Sequence, residues 1–260
     1  MTPYQQFKQE CASEITQQGK DPELAGLTQQ WINKANSLKY SYHFEWMGRP
    51  IIQYPQDIAA VQEIIWSVRP DLIIETGIAH GGSLILSASL LALLDMTDAI
   101  EKGASSIDPK HSKRLVLGID IDIREHNRQA IEAHPMASRI RMIEGSSISD
   151  EVAEQVRAIA KDYKRVLVFL DSNHTHEHVL AELEIYAPLV SYGSYCVVFD
   201  TIIEDMPKSL FKDRPWGPGD NPKTAVFEYQ KTHNNFEIDN NLQNKLCITV
   251  APDGYLRRTR

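Results

Sequence analysis

Cysteine is scarce in this chain of 260 residues. The three present, Cys11, Cys196 and Cys247, lie far apart and make no metal-ligand spacing. Reduced thiols and a cytoplasmic location are the expectation. Positive charge is also in deficit. Lys and Arg number 27 against 35 Asp and Glu, for a formal net charge of -8 at pH 7. Such a balance argues against a nucleic-acid partner and leaves small molecules open. No apolar run reaches the roughly 18 residues of a membrane helix. The nearest, around residues 83–94, reads as a buried helix. The opening stretch MTPYQQFKQECASEITQQGK is polar and shows no signal-peptide pattern. There is no repeat, no low-complexity tract, no GxGxxG and no HExxH. What remains is an ordinary globular composition, 42% hydrophobic and 24% charged, at a length suited to one α/β domain with additions.

Residues 1–50 are polar with scattered aromatics and read as a helical extension followed by an irregular segment. DIAAVQEIIWSVRP follows as an amphipathic helix, with Ile58, Val61, Ile64, Ile65 and Val68 at helical spacing and Pro70 as its stop. From there short apolar runs alternate with helical patterns: DLIIETG, RLVLGIDID, RIRMIEGSS, RVLVFLD and GSYCVVFD are the strands. Continuously apolar strands separated by helices predict a mostly parallel sheet covered on both faces. Right-handed crossovers make it doubly wound and Rossmann-like. Residues 201–235, rich in Pro, Gly and charge, read as a long insertion over the site. KLCITVAPDGYLRRTR reads as a β-hairpin around PDG that adds one antiparallel strand.

In doubly wound sheets ligands sit at the carboxyl ends of the strands. Each of these five strands delivers an acid there: Glu75, Asp120 with Asp122, Glu144, Asp171 and Asp200. ETGIAHGGS is a glycine-rich turn into a helix. Gly77, Gly81 and Gly82 allow close backbone approach, and the helix start, with Ser83, suits an anionic group. An acid preceding the glycines suits a ligand bearing both an amine and a carboxylate. Asp120 or Asp122 would take ribose hydroxyls, and Ser146 of EGSS an adenine edge. Together these describe S-adenosylmethionine. Asp171 and Asp200 end adjacent strands, and two close carboxylates call for a cation, with Mg²⁺ the fitting hard ion. His174 lies beside them as a candidate general base. His176 and His178 are assigned to capping or lining the helix. Two rival sites remain: zinc on the histidines, and an iron triad of Asp171, His174 and His176.

The stretches WMGRPIIQYPQDIAAVQEIIWSVRPDLIIETGIAHGGS, LGIDIDIR, EGSS, LDSNHTHEHV, VVFDTIIED, WGPGDNPKTAV and APDGYLRR together resemble the cephalosporin hydroxylase family. Its better-understood members look like metal-assisted O-methyltransferases that use S-adenosylmethionine, related to macrolide-sugar and rhamnosyl O-methyltransferases. The resemblance implies a class I methyltransferase domain over residues 51–260, with metal at Asp171 and Asp200 and His174 as base. It implies a sugar, glycan or natural-product acceptor and, by expectation, a homo-oligomer. One departure stands out. The related enzymes carry a Glu–Asp pair after the fifth strand, where this chain has Phe199–Asp200, so Glu204, Asp205 or water would complete the shell. Phe211 and Trp216, in the insertion, are candidates to stack on a sugar face.

Overall fold

The computed structural model describes residues 1–260. Two helices lead the chain, α1 (Pro3–Gln18) and α2 (Pro22–Asn36). A capping box starts α1: Thr2 Oγ1 accepts from Gln5 N, and Gln5 Oε1 accepts from Thr2 N at 2.8 Å. Asp21 caps α2 through the amides of Glu23 and Leu24. The stretch expected to be irregular then forms a small hairpin, β1 (Phe44–Trp46) and β2 (Arg49–Ile51). Met47 and Gly48 at its tip both have positive φ, as a tight two-residue hairpin turn requires.

The alternating part matches its expectation closely. It comprises α3 (Pro55–Val68), β3 (Leu72–Thr76), α4 (Gly82–Glu101), β4 (Leu115–Asp120), α5 (Glu125–Glu132), β5 (Ile140–Glu144), α6 (Asp150–Ala160), β6 (Val166–Leu170), α7 (His176–Tyr186) and β7 (Tyr195–Val198). Every residue of β3 and β6 is buried, because helices cover both faces. The last elements are α8 (Pro222–Thr232), β8 (Phe236–Ile238), α9 (Asn240–Leu246) and β9 (Tyr255–Arg258). One seven-stranded sheet runs in the order β5-β4-β3-β6-β7-β9-β8. Five strands are mutually parallel, and β9 is antiparallel to both its neighbours. Two apolar clusters, one on each face, make the core. Truncating a sheet residue such as Val168 to Ala would cost ~1–4 kcal/mol.

Three expectations are corrected. Residues 245–250 do not form a strand beside the PDG turn. The donors here are taken outside any strand ladder: Ile248 N donates to Leu246 O, Val250 N to the distant, buried Asp57 carboxylate at 2.9 Å, and Ala251 N to Thr249 Oγ1 at 3.0 Å. The outer partner of β9, on the side away from β7, is β8, from before α9. Second, the 201–235 insertion contains a regular helix, α8, capped by Asn221 and packed on α7, so the irregular part ends at Asn221. Third, α4 is long and apolar enough to cross a membrane by length and composition. Its buried Leu84, Ile85, Leu91 and Leu94 belong instead to the core beside the sheet.

Candidate active site

The glycine turn is fixed from several sides. Gly77 has φ 88°, and a Cβ there would collide with the carbonyl oxygen of Asp171. A Cβ on Gly81 (φ 83°) would strike Ile131, and one on Gly82 would strike the Pro50 carbonyl in β2. Side chains hold the turn between them. Arg49 donates to His80 O and to Asn127 Oδ1, while Asn127 Nδ2 donates to Ala79 O. Asp120 Oδ2 accepts from Ile78 N at 2.7 Å and Ala79 N at 3.3 Å, and its other oxygen accepts from Asp122 N. Asp120 therefore shapes the turn and lines the cleft beside it. Asp122 does not: β4 ends at Asp120, the chain turns, and Asp122 is exposed away from the cleft wall.

Glu75 is buried beneath the turn. One carboxylate oxygen accepts from Ser83 Oγ, and the other has no partner. Burial pushes its carboxyl up to about 7, against the opposing Ser83 hydrogen bond. Gln53, which nothing in the sequence singled out, lies next to it. Its Nε2 donates to Asp171 Oδ2 at 3.3 Å, and its buried Oε1 is also unpartnered. Both orphan acceptors line one narrow space of about 20 Å³ under Asp171.

Asp171, His174 and Asp200 converge, with one donor atom from each lying within 4.8 Å of the others. His174 Nε2 is 3.1 Å from Asp200 Oδ2. Asp200 takes left-handed backbone, φ 56°, at the point where β7 gives way to a short 3-10 turn. Burial, followed by the nearby charges of Asp200 and Glu75, holds the Asp171 carboxyl well above the usual carboxylate range. Two carboxylates and an imidazole in such a space fit a hard divalent cation, which would relieve the repulsion between the acids.

Phe199 packs in the core against Phe169, with ring centroids 5.8 Å apart, and offers the site no ligand. Neither acid expected to compensate is available. Glu204 accepts from Gly219 N and Asn221 Nδ2, and Asp205 pairs with Lys223 at 2.5 Å. The iron triad and the zinc site also fail on geometry. His176 Nδ1 is bound to Thr224 Oγ1 at 2.8 Å, and neither His176 nor His178 joins the cluster. His178 instead faces Ser147 Oγ (3.1 Å) and Ser172 Oγ (3.2 Å), backed by the fully buried Glu182. An acid four residues after a histidine, on the apolar face of α7, was the available signal for that pair.

Three spaces adjoin here, two of them sharing Asp171 and the third meeting them at His174, Asp200 and Trp216. A cleft of about 320 Å³ contains Gly77, Asp120, Ser146, Ser147, His178 and Asp171. A second of about 180 Å³ contains Gly82, Ser83, Asp171, His174 and Asp200. A third, of about 420 Å³, opens on the far side of His174 and Asp200, between residues 36–42 and the 202–216 segment. Trp216 borders the first and third spaces and meets the His174 ring edge-on at 4.8 Å. The sequence-based site thus comes together at Asp171, His174, Asp200, Gly77, Gly82, Ser83, Asp120 and Ser146. Glu75 and Gly81 support it from below and behind.

A seven-stranded Rossmann-like sheet with such a cleft at its strand ends defines the methyltransferase fold class. The chain matches the family Rhamnosyl O-methyltransferase/CmcI over residues 38–259 and belongs to it. It is 29% identical over 218 residues to the rhamnosyl O-methyltransferase of Mycobacterium tuberculosis, covering 82% of this chain and 77% of that protein. The Mycobacterium leprae rhamnosyl O-methyltransferase is 27% identical over 215 residues, with 82% of each covered. Among solved structures, CmcI with Mg and SAM superposes with a TM-score of 0.54 at 18% identity, covering 84% of this chain and 78% of that one. That likeness supports the fold.

Proposed function

We propose that this protein transfers a methyl group from S-adenosylmethionine to a hydroxyl of a sugar, carried on a small molecule or glycan, with Mg²⁺ or a similar divalent cation at Asp171 and Asp200. The convergence of Asp171, His174 and Asp200 at the junction between two cavities carries this reading. The names of the curated relatives support the sugar. When bound, the donor supplies an already activated methyl group, and the cation supplies positive charge that eases loss of the acceptor proton.

The chain's own residues do the rest. The turn from Gly77 to Gly82 and the start of α4 receive the amino-acid end of the donor, near Ser83. Asp120 faces the ribose, and Ser146, Ser147 and His178 face the base. The unpartnered oxygen of Glu75 is left as the acceptor for the donor's amine. His174 takes the acceptor proton, and Asp200, whose Oδ2 lies 3.1 Å from the Nε2 of that ring, stabilises the imidazolium that results. Trp216 and the 202–216 segment cover the site and exclude water, which strengthens each of these interactions.

Calorimetric titration of S-adenosylmethionine with Mg²⁺ and again with EDTA tests the assignment. Binding in both buffers places the donor on the glycine turn and leaves the cation to the acceptor. Absence of binding in either buffer would remove the methyltransferase reading.

A further inference from the structure

We infer that the acceptor is an anionic sugar, one carrying a phosphate or a carboxylate, and that Lys39 and Arg214 receive that charge; this rests on the methyltransferase reading above. The space of about 420 Å³ beyond His174 and Asp200 is in the range of small-molecule sites. Lys39 lines it from the segment after α2, and Arg214 from the segment after β7. Asp200 is the only acid in its wall, and that carboxylate belongs to the cation cluster. Neither Lys39 nor Arg214 has a carboxylate partner among the ion pairs of the structure, so both charges are free to meet a ligand.

The local charge runs against the chain as a whole. Net charge is -8, yet residues 207–214 read PKSLFKDR, three cations and a single acid. Lys208 and Lys212, like Arg214, have no carboxylate partner among the ion pairs of the structure. Both pocket cations are held from their own backbones. Lys39 takes left-handed φ (55°) where α2 ends, its amide donating to Asn36 O. Arg214 N donates to Phe211 O, and its guanidinium lies over the Trp216 ring at 5.3 Å. Trp216 in turn touches His174, so a charge bound at Arg214 sits one ring away from the proposed base. The donor's own carboxylate is not the anion these residues await, because neither lines the two donor-side spaces across Gly77. Two unpaired cations on the rim of one concavity attract an oxyanion and fix which end of the acceptor enters first.

The test is methyl transfer from labelled S-adenosylmethionine, with Mg²⁺, to methyl α-rhamnoside, rhamnose 1-phosphate and methyl glucuronoside. The inference expects a charged member to be preferred; the phosphate or the uronate arm identifies which oxyanion is read. With that acceptor, Lys39→Ala and Arg214→Ala each raise KM by on the order of tenfold at unchanged kcat, as loss of uniform binding does. Arg214→Lys keeps part of the effect, and added salt weakens wild-type binding. Equal use of the neutral glycoside, or unchanged KM in both alanine variants, overturns it. If no member is methylated, the same compounds are read by thermal shift on the S-adenosylhomocysteine complex. Stabilisation by an anionic member, lost in both alanine variants, sustains the inference, and no anionic preference overturns it. Both side chains are exposed, so the variants should fold, and their unliganded Tm confirms it. Failure of S-adenosylmethionine to bind would sink the enzymatic reading itself; binding with no charge preference sinks only this inference.

Discussion

The carbonyl oxygen of Asp171 occupies the place where a side chain on Gly77 would begin. The turn after β3 and the end of β6 are therefore in contact at the centre of the cleft, and Asp171 N returns the contact by donating to Thr76 O at 3.0 Å. One substitution should disturb donor and cation sites together. Gly77→Ala faces both this collision and φ 88°, and destabilisation of ~2–4 kcal/mol is expected. Thermal unfolding together with S-adenosylmethionine titration checks it; unchanged affinity would show that the turn can relax.

Asp171→Ala should abolish turnover and weaken cation binding while leaving donor affinity within a few-fold, since the donor rests on the glycine turn. Mn²⁺ titration followed by paramagnetic relaxation, beside calorimetry with the donor, separates the two effects.

His174→Gln should lower kcat by about 10²–10⁴-fold, the usual contribution of a positioned general base. Donor affinity should be retained, and partial recovery at high pH is expected as the acceptor hydroxyl ionises by itself. A pH–rate profile of the variant decides this; a profile parallel to wild type would assign the proton to another group.

Asp205→Asn should leave cation affinity unchanged, because Asp205 is spent on Lys223 and not on the site. Lys223 is buried but keeps Asp253 at 3.1 Å, so the structural cost should be about 1–3 kcal/mol. A fall in Mn²⁺ affinity would instead return Asp205 to the metal shell.

Asp57 provides the pH test. Its carboxyl accepts from Thr249 Oγ1, Tyr255 OH and Val250 N, but burial outweighs these bonds and pushes it up to about 6. A carboxyl raised on folding binds its proton more tightly in the folded state. The stability it contributes is full below its unfolded value near 4 and is lost as pH rises through about 6. Urea unfolding should show wild type losing on the order of 2 kcal/mol from this group across that window, and Asp57→Asn should flatten the loss.

The alternation of apolar strands with helices was legible because β3, β4, β6 and β7 are buried by covering helices and so leave long apolar runs. Asp171, His174 and Asp200 were legible for a related reason. Strand ends in a doubly wound sheet share one edge, so a list of terminal acids is already a partial map. Gln53 and the hairpin at 44–51 carried no comparable signal. Each acts through a partner far away in the chain: Gln53 through Asp171, the hairpin through Gly82 and Ser89.

The sequence by itself determined the layered sheet, the family and the edge on which the chemistry falls, since local periodicity and strand order are written in consecutive residues. Tertiary structure alone decided which acids are free. Asp200 faces the site while Phe199, one residue earlier, fills the core. Glu204 and Asp205 are consumed by Asn221 and Lys223, and Thr249 and Val250 serve a buried Asp57 instead of a strand. A carboxylate's role depends on the partners that folding brings within about 3 Å, and those partners are not its neighbours in sequence.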